Sequence, residues 1–229
     1  MSSKPSSPIE ITAPNQRIVL AITGASGAIY AVRLLQILIE AGVETHLTLS
    51  PSGAAVIKQE LELTLDVRQP DLESLICHRP TWSSRAQSFD PKKVATAIDE
   101  GRLNFHQYDD YMTPIASGSF QTGAMVVCPC SGSTLSGISR AASSNLIQRA
   151  AEVHLKEHRK LVLVPRETPL SVLQLENMHR LATAGVVILP AMPGWYHNVD
   201  SLDSLVDFVV CRILDQLDID NSLMDRWGE

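Results

Sequence analysis

Glycines and hydroxyl side chains follow several short apolar runs of this 229-residue chain. The first run leads into residues 23–28 (T-G-A-S-G-A), and later runs lead into Ser50 and into residues 128–134 (C-P-C-S-G-S-T). Backbone N–H groups at a helix start, together with serine and threonine hydroxyls, are good donors to a phosphate. The pattern predicts a mononucleotide phosphate site with donors at Ser26, Ser50, Ser131 and Thr134.

The spacing of the first glycines argues against a dinucleotide. A dinucleotide-binding turn has the pattern G-x-G-x-x-G, and an acidic residue follows the second strand to hold the ribose. Here Gly24 and Gly27 are followed by Tyr30 at the position of the last glycine, and the second run ends in Thr48-Leu49-Ser50. No tyrosine is followed four residues later by lysine, as a short-chain dehydrogenase requires. We therefore expect FMN rather than NAD.

A cluster of basic residues suits a second anion. Five of the 19 basic residues of the chain are Arg149, Lys156, Arg159, Lys160 and Arg166. Because Arg149 and Lys156 are seven residues apart, they lie about 20° apart around a helix. The alternative is a solvated helix face on which Glu152 and Lys156 form an ordinary i, i+4 pair. Arg212 falls among apolar residues of the last helix, where its guanidinium requires an anion or a structural carboxylate.

Apolar runs and helical segments alternate along the chain and must position these residues. Short continuous apolar runs are typical of strands buried on both faces of a sheet. We predict strands at 18–22, 43–49, 124–127, 161–164 and 186–189, and helices at 27–40, 53–61, 131–157 (in one or two pieces), 170–183 and from Asp200 or Ser201 onward. This alternation predicts an α/β fold with one doubly wound parallel sheet, which binds ligands outside the carboxyl ends of its strands.

Two stretches depart from the alternation. Residues 1–16 are rich in Ser and Pro, and we expect a disordered tail before a single domain over 17–229. Residues 63–120 are polar, contain several prolines and hold one charged helical piece near 92–100. Because 63–120 is too long for a simple connection, we expect an inserted surface excursion or an oligomer contact there.

Composition narrows the class of protein. The net charge of −6 provides no basic field for nucleic acid. No apolar run reaches the roughly 18 residues that span a bilayer, and the first 16 residues lack the apolar centre of a signal peptide, so we expect a cytoplasmic protein without a membrane partner. The four cysteines lack C-x-x-C spacing and predict neither a disulfide framework nor a metal site.

Seven motifs, in this order and spacing, resemble those of the flavin prenyltransferase family, the UbiX-like proteins. They are T-G-A-S-G-A-I-Y at 23–30, A-S-G-S-F at 116–120, C-P-C-S-G-S-T-L-S at 128–136, N-L-I-Q-R-A-A at 145–151, L-K-E-H-R-K-L-V-L-V-P-R-E-T-P-L at 155–170, P-G-W-Y-H at 193–197 and R-W-G-E at 226–229. The resemblance covers about 17–62 and 111–229, whereas residues 66–104 look longer than the corresponding family region, and their role stays open.

The resemblance implies a flavodoxin-like Rossmann fold, assembly as a homododecamer and FMN bound between subunits. It implies a metal-independent enzyme that joins a dimethylallyl group from dimethylallyl phosphate to N5 and C6 of reduced FMN, making prenylated FMN for UbiD-type decarboxylases. The implied FMN contacts are Gly24, Ala25, Ser26, Ser50, Ser131, Gly132, Ser133, Thr134 and Arg166. The implied phosphate-handling residues, some from a neighbouring subunit, are Arg149, Lys156, Arg166, Glu167, Tyr196 and Arg212. Glu60 and Ser26 match residues near flavin N5, and Trp227 matches an aromatic of the prenyl pocket.

The chemistry of these side chains agrees with that activity. Fixed cations and hydroxyls stabilise a departing phosphate, which suits Lys156, Arg149, Arg212 and Tyr196. A protonated Glu167 beside Arg166 suits proton delivery to that phosphate, a plain ion pair of the two being the alternative. Glu60, relayed by Ser26, suits the acceptance of protons that bond formation releases from the flavin. Aromatic faces stabilise an allylic cation, which suits Trp195, Tyr196 and Trp227, with core packing as the alternative for Trp195.

Two other functions stay open at this point. The first is an FMN-dependent decarboxylase of peptidyl or pantothenoyl cysteine from the same superfamily, which relies on a catalytic histidine; His46 and His197 are the histidines expected near the site. The second is a flavin carrier without chemistry, which needs no cations for a second phosphate. Binding of dimethylallyl phosphate separates the carrier from the prenyltransferase.

Overall fold

Parallel strands form one six-stranded sheet in the computed structural model, which describes residues 17–226 and residue 228. The expected tail over 1–16 and Trp227 lie outside the described residues. The strands are β1 (Arg17–Ile22), β2 (Glu44–Leu49), β3 (Leu103–His106), β4 (Ala124–Cys130), β5 (Lys160–Pro165) and β6 (Val187–Ile188). Their order across the sheet is β3-β2-β1-β4-β5-β6. All the pairings are parallel.

Helices cover both faces of this sheet, as predicted for a doubly wound fold. They are α1 (Ala28–Glu40), α2 (Pro51–Leu61), α3 (Leu72–Ile76), α4 (Pro91–Asp99), α5 (Gly132–Ser139), α6 (Leu146–Lys156), α7 (Val172–Thr183) and α8 (Leu202–Gln216). Side chains of β1 show the two faces, because Ile18 and Leu20 pack into one apolar cluster and Val19 and Ala21 into another. The first cluster includes α1, α2 and α8, and the second includes α5 and α6.

Serine residues begin the helices that follow the sheet at its carboxyl edge. Ser50 accepts a hydrogen bond from the N–H of Gly53 at the start of α2, and Ser131 accepts one from Thr134 at the start of α5. Of the two candidates for the start of the last helix, Ser201 is the cap of α8, and its hydroxyl accepts from the N–H of Ser204. A serine at this position satisfies a backbone donor that has no partner within the helix.

The five strands predicted from the sequence are present, and a sixth strand was missed. Strand β3 pairs with β2 at the edge of the sheet, within the stretch 63–120 for which we expected a surface excursion. The same stretch supplies α3 and α4, whose side chains Leu75 and Val94 are fully buried in the main apolar cluster. That expectation was therefore wrong in part, because residues 63–120 complete the sheet and its core. Strand β3 was not predicted because its sequence, L-N-F-H, is short and half polar.

The described residues contain no helix that is long and apolar enough to cross a membrane.

Candidate functional site

The carboxyl ends of β1 and β4 lie side by side and are joined by one threonine. The Thr23 hydroxyl donates to the carbonyl of Pro129 at 2.7 Å and accepts from the N–H of Ser131 at 2.8 Å. The sheet order reverses between these two strands, since β2 and β3 lie beyond β1 whereas β5 and β6 lie beyond β4. In open parallel sheets, ligands bind in the crevice at such a switch point. The loops at 23–28 and 128–134 therefore lie where the sequence predicted the site.

The loop after β1 packs so tightly that glycine is required in it. A Cβ on Gly24 would lie 2.5 Å from the Cβ of Ser52 in α2, which real structures do not tolerate. Gly27 has φ of +107° at the start of α1, a left-handed conformation that glycine adopts without strain. These two glycines let the N-terminus of α1 approach the crevice closely.

Three of the predicted phosphate-binding hydroxyls also serve the protein itself. Ser50 is buried, caps α2 and lies 3.1 Å from the hydroxyl of Ser52. Ser131 lies 3.0 Å from Thr134 Oγ1 and 3.2 Å from Ser133 Oγ, so the three hydroxyls at the start of α5 form one hydrogen-bonded group. Among them only Ser133 is exposed. The hydroxyls at this helix start thus lie together, as the sequence predicted, and are oriented by one another.

A cavity of about 310 Å³ opens beside the N-terminus of α1. Its lining residues are Ser26, Gly27, Ile29, Tyr30, Glu60, Leu61, Trp82, Arg166 and Ala191. Three residues predicted from the sequence, Ser26, Glu60 and Arg166, are therefore brought together in one space. A cavity of this size that combines apolar walls with a few polar groups is typical of a small-molecule site.

Glu60 is held at the start of α1 by the backbone. Its carboxylate accepts hydrogen bonds from the N–H of Gly27 at 2.9 and 3.1 Å and from the N–H of Ala28 at 3.0 Å. A carboxylate at this position is stabilised by the positive end of the helix dipole. Glu60 is thereby fixed next to Ser26 on the cavity wall.

Arg166 presents an unused donor to the same cavity. Its Nε is buried and has no hydrogen-bond partner among the residues that the structure describes. A buried charged donor without a partner is costly, and it points to a ligand that supplies the acceptor. Burial raises the pKa of the neighbouring Tyr30 phenol, although the Arg166 charge acts in the opposite direction.

Glu167 does not pair with Arg166. Its side chain is exposed and accepts a hydrogen bond from the amide of Gln174 at 3.3 Å. Within 17–226 the alternative of a plain Arg166–Glu167 ion pair is not realised. Glu167 follows directly on Arg166 at the end of β5, so both side chains start from the edge of the sheet that carries the crevice.

Arg149 and Lys156 lie on one side of α6, as their spacing predicted, but neither lines the cavity of its own protomer. Arg149 donates to the carbonyl of Ala116 at 3.1 Å and to Glu152 at 3.4 Å. Lys156 pairs with Glu157 rather than with Glu152, and its Nζ lies against Gly118. Both cations therefore border the segment 116–118, and the alternative Glu152–Lys156 pair is absent from the described structure.

Arg212, Trp195 and Tyr196 lie at the surface of the protomer. The guanidinium of Arg212 is exposed rather than buried among apolar residues, and the partner it requires is a structural carboxylate, Asp215, to which it donates at 2.6 Å. Trp195 and Tyr196 are 72% and 53% exposed, and the Tyr196 ring contacts Phe208 edge-on. Core packing, the alternative for Trp195, is thus excluded within the protomer.

Neither of the histidines expected near the site lines the cavity. His46 is buried on β2, where its Nδ1 lies 2.8 Å from Nε2 of His106 on β3. Burial lowers the pKa of both rings, and that of His106 falls to about 4 with a further contribution from His46. The His197 ring stacks on Phe208. The structure also shows no group of three potential metal-ligating side chains among the described residues.

Trp82 and Tyr30 line the cavity although the sequence patterns did not predict them as site residues. Tyr30 belongs to the motif at 23–30, so its position within one helical turn of Ser26 could have indicated it. Trp82 lies in the stretch 66–104, where no periodic pattern predicts which side chains return to the sheet.

Comparison with known proteins gives a consistent result. The model of the family described as Flavoprotein matches residues 7–214. A curated flavin prenyltransferase UbiX from Halalkalibacterium halodurans is 46% identical over 210 residues, which cover 92% of each chain. A crystal structure of AnUbiX (PadA1) in complex with FMN and dimethylallyl pyrophosphate is 36% identical, with a TM-score of 0.76 over 94% of this chain and 99% of that one. A dodecameric FMN-dependent UbiX-like decarboxylase from Escherichia coli O157:H7 is 38% identical, with a TM-score of 0.74 over 93% and 100%.

Proposed function

The chain belongs to the flavoprotein family and, within it, to the flavin prenyltransferases, and we propose on this basis that it joins a dimethylallyl group from dimethylallyl phosphate to N5 and C6 of reduced FMN. The observation that carries the proposal is the cavity beside the N-terminus of α1, which Ser26, Glu60 and Arg166 line and where the buried Nε of Arg166 has no partner among the described residues. The product, prenylated FMN, would serve a UbiD-type decarboxylase.

The residues of the crevice fit FMN. The buried Arg166 Nε lacks an acceptor, and the hydroxyls of Ser131, Ser133 and Thr134 lie together at the start of α5. We assign FMN binding to Gly24, Ala25, Ser26, Ser50, Ser131, Gly132, Ser133, Thr134 and Arg166. When bound, reduced FMN supplies the nucleophilic N5 and C6 positions.

Glu60 is the proposed proton acceptor, together with Ser26. Two backbone N–H groups hold its carboxylate at the cavity wall, and Ser26, which lines the same cavity, is the proposed proton relay. Because the carboxylate is fixed before substrate arrives, no reorganisation is needed when a proton is released. A base placed in this way typically contributes about 10²–10⁴-fold to a rate.

The departing phosphate is assigned to Arg149, Lys156, Glu167, Tyr196 and Arg212, and Trp227 is assigned to the prenyl pocket. In one protomer Arg149 and Lys156 lie beside segment 116–118 and away from the cavity. We therefore propose that they act on the cavity of a neighbouring protomer in a homododecamer, since the related UbiX-like decarboxylase from Escherichia coli is dodecameric. Exposed apolar side chains on and around α7, among them Val172, Leu173 and Met192, support association of this kind.

The remaining assignments follow from the same family membership. We propose one domain over 17–229 after a tail over 1–16, action in the cytoplasm, and chemistry without a metal. The cysteine decarboxylase alternative loses support because neither His46 nor His197 lines the cavity.

The test is mass spectrometry of acid-released flavin after anaerobic incubation with reduced FMN and dimethylallyl phosphate. The proposal expects a mass gain of one five-carbon prenyl unit. Unmodified FMN, together with decarboxylation of a peptide that ends in cysteine, would assign the decarboxylase function instead. Unmodified FMN, together with no binding of dimethylallyl phosphate, would assign the carrier.

A further inference from the structure

Trp82 forms part of the cavity wall although it comes from the stretch 66–104, which the family motifs do not cover. The side chain is 39% exposed, which makes it one of the large apolar residues at the surface. Its indole gives the cavity that also holds Glu60 and Arg166 a large apolar surface.

The chain on the C-terminal side of Trp82 is firmly anchored. The carboxylate of Asp203, in the first turn of α8, accepts from the hydroxyl of Ser83 at 3.0 Å and from the N–H and hydroxyl of Ser84 at 2.7 and 2.9 Å. Asp203 is only 8% exposed. Burial acts to raise the pKa of Asp203, but the hydrogen bonds from Ser84 and the charge of Arg85 outweigh it and hold this pKa below its usual value. The backbone that follows Trp82 is therefore fixed to the first turn of α8.

A second layer ties the same segment to α1. Arg85 pairs with Asp203 at 3.2 Å and with Asp207 at 2.9 Å. Asp207 also accepts from Arg33 of α1 at 2.7 Å, and both side chains of this pair are largely buried. Loss of one partner from such a pair leaves the other charge buried and unpaired, which is strongly destabilising. The pairs therefore fix the position of this segment relative to α1 and α8. Trp82 is thus held relative to α1, the helix whose N-terminus binds the Glu60 carboxylate.

The geometry points to Trp82 as a specificity-determining residue: we propose that its indole closes the prenyl end of the cavity and limits the donor to a five-carbon chain. The inference rests on the proposed function. Ser26, Glu60 and Arg166 supply the polar part of the cavity, and Trp82, with Leu61 and Ile29, supplies its apolar part. The allyl chain of the donor is a hydrocarbon, so we expect it to bind against the apolar side of the cavity. There the indole of Trp82 would exclude additional isoprene units.

The first test is binding of saturated donor analogues, which cannot ionise. Calorimetry with oxidised FMN present compares 3-methylbutyl phosphate with the ten-carbon 3,7-dimethyloctyl phosphate. Wild-type protein is expected to favour the five-carbon compound, and Trp82→Ala is expected to shift the ratio of dissociation constants toward the ten-carbon compound by about 10-fold or more. Phe89→Ala is the matched control, because Phe89 is an aromatic of the same stretch that lines a different cavity.

The second test is competition between dimethylallyl and geranyl phosphate in one anaerobic reaction, read as the ratio of five-carbon to ten-carbon adducts. This ratio does not depend on the folded fraction of a variant. Trp82→Ala is expected to raise the ten-carbon share, and Trp82→Leu, which keeps part of the bulk, to raise it less. An unchanged ratio in both assays, while wild-type protein prenylates FMN, would overturn the role of Trp82. Failure of wild-type protein to prenylate FMN would overturn the proposed function itself.

Discussion

Replacement of Arg166 by methionine separates a ligand-binding role from a structural one. The Nε of Arg166 is buried without a partner, and no hydrogen bond or ion pair joins its guanidinium to the other residues between 17 and 226. Methionine keeps most of the apolar stem and removes the charge. Because methionine also removes a buried donor that has no partner, we expect the free energy of unfolding of FMN-free protein to stay the same or to rise by up to about 1–3 kcal/mol.

Binding of FMN, by contrast, is expected to weaken strongly. A hydrogen bond to a charged group contributes about 1.5–3 kcal/mol, which corresponds to about a 10- to 150-fold rise in Kd. At an FMN concentration of about 100 times the wild-type Kd, the ligand stabilises wild-type protein by about 2.7 kcal/mol. If Kd rises about 100-fold, that stabilisation falls to about 0.4 kcal/mol.

The assay is the change in Tm on addition of FMN. For a chain of this length about 1 kcal/mol corresponds to about 2–4 °C, so FMN is expected to raise Tm by about 5–11 °C in wild-type protein and by about 1–2 °C in Arg166→Met. Arg68→Met is the control, since Arg68 is an exposed arginine paired with Asp109. Wild-type FMN stabilisation in Arg166→Met would refute the assignment, and so would a large loss of stability without FMN.

Three further predictions follow from the site and the fold. Glu60→Gln is expected to bind FMN with a Kd within a few fold of wild type but to slow single-turnover prenylation by about 100-fold or more. The control Glu62→Gln, at the same end of α2, is expected to keep the wild-type rate. An undiminished rate in Glu60→Gln would contradict the role of Glu60 as proton acceptor. Mixed oligomers of inactive Glu60→Gln and Lys156→Ala subunits are expected to regain about a quarter of wild-type activity. Random mixing places a cavity with intact Glu60 next to a neighbouring subunit with intact Lys156 in about one case of four. No recovery of activity would mean that both residues act in the site of the same subunit. The lowered His106 pKa, about 4 against about 6.5 unfolded, means that the unfolded chain binds more protons between these pH values. The free energy of unfolding, measured in urea, is therefore expected to be highest above about pH 6.5 and to fall by about 1–2 kcal/mol toward about pH 4, after allowing for partial solvation of the ring. The same dependence on pH in His106→Gln would contradict this prediction.

The parts of the fold that the sequence predicted are those determined by burial. Strands β1, β2, β4 and β5 lie inside the sheet, where helices cover both faces and nearly every strand residue is buried. Strand β3 pairs with β2 on one side, and of its four residues Leu103 alone is buried. Its amino-acid composition therefore gives little indication of a strand. Strand β6 lies at the opposite edge but was predicted, because it belongs to the apolar run at 186–189.

The site divides in a similar way. Residues at strand ends, such as Ser26 and Arg166, were predictable because parallel strands deliver their carboxyl ends to one edge. The position of Trp82 depends on ion pairs and hydrogen bonds between residues about 120 positions apart, and a local pattern cannot predict such pairings. For Arg212, helical periodicity placed the residue among apolar neighbours, but it did not show that the long side chain reaches solvent and Asp215.

The anchoring of Ser83 by Asp203 has a consequence for the newly made chain. The two residues are 120 positions apart, and synthesis at about 5–20 residues per second separates their appearance by about 6–24 s. Over that interval Ser83 and Ser84 have been made while the carboxylate that fixes them has not. The Arg33–Asp207 pair, which spans 174 positions, closes later still. The contacts that hold the segment after Trp82 can therefore form only after β1, β2 and β4 have been synthesised.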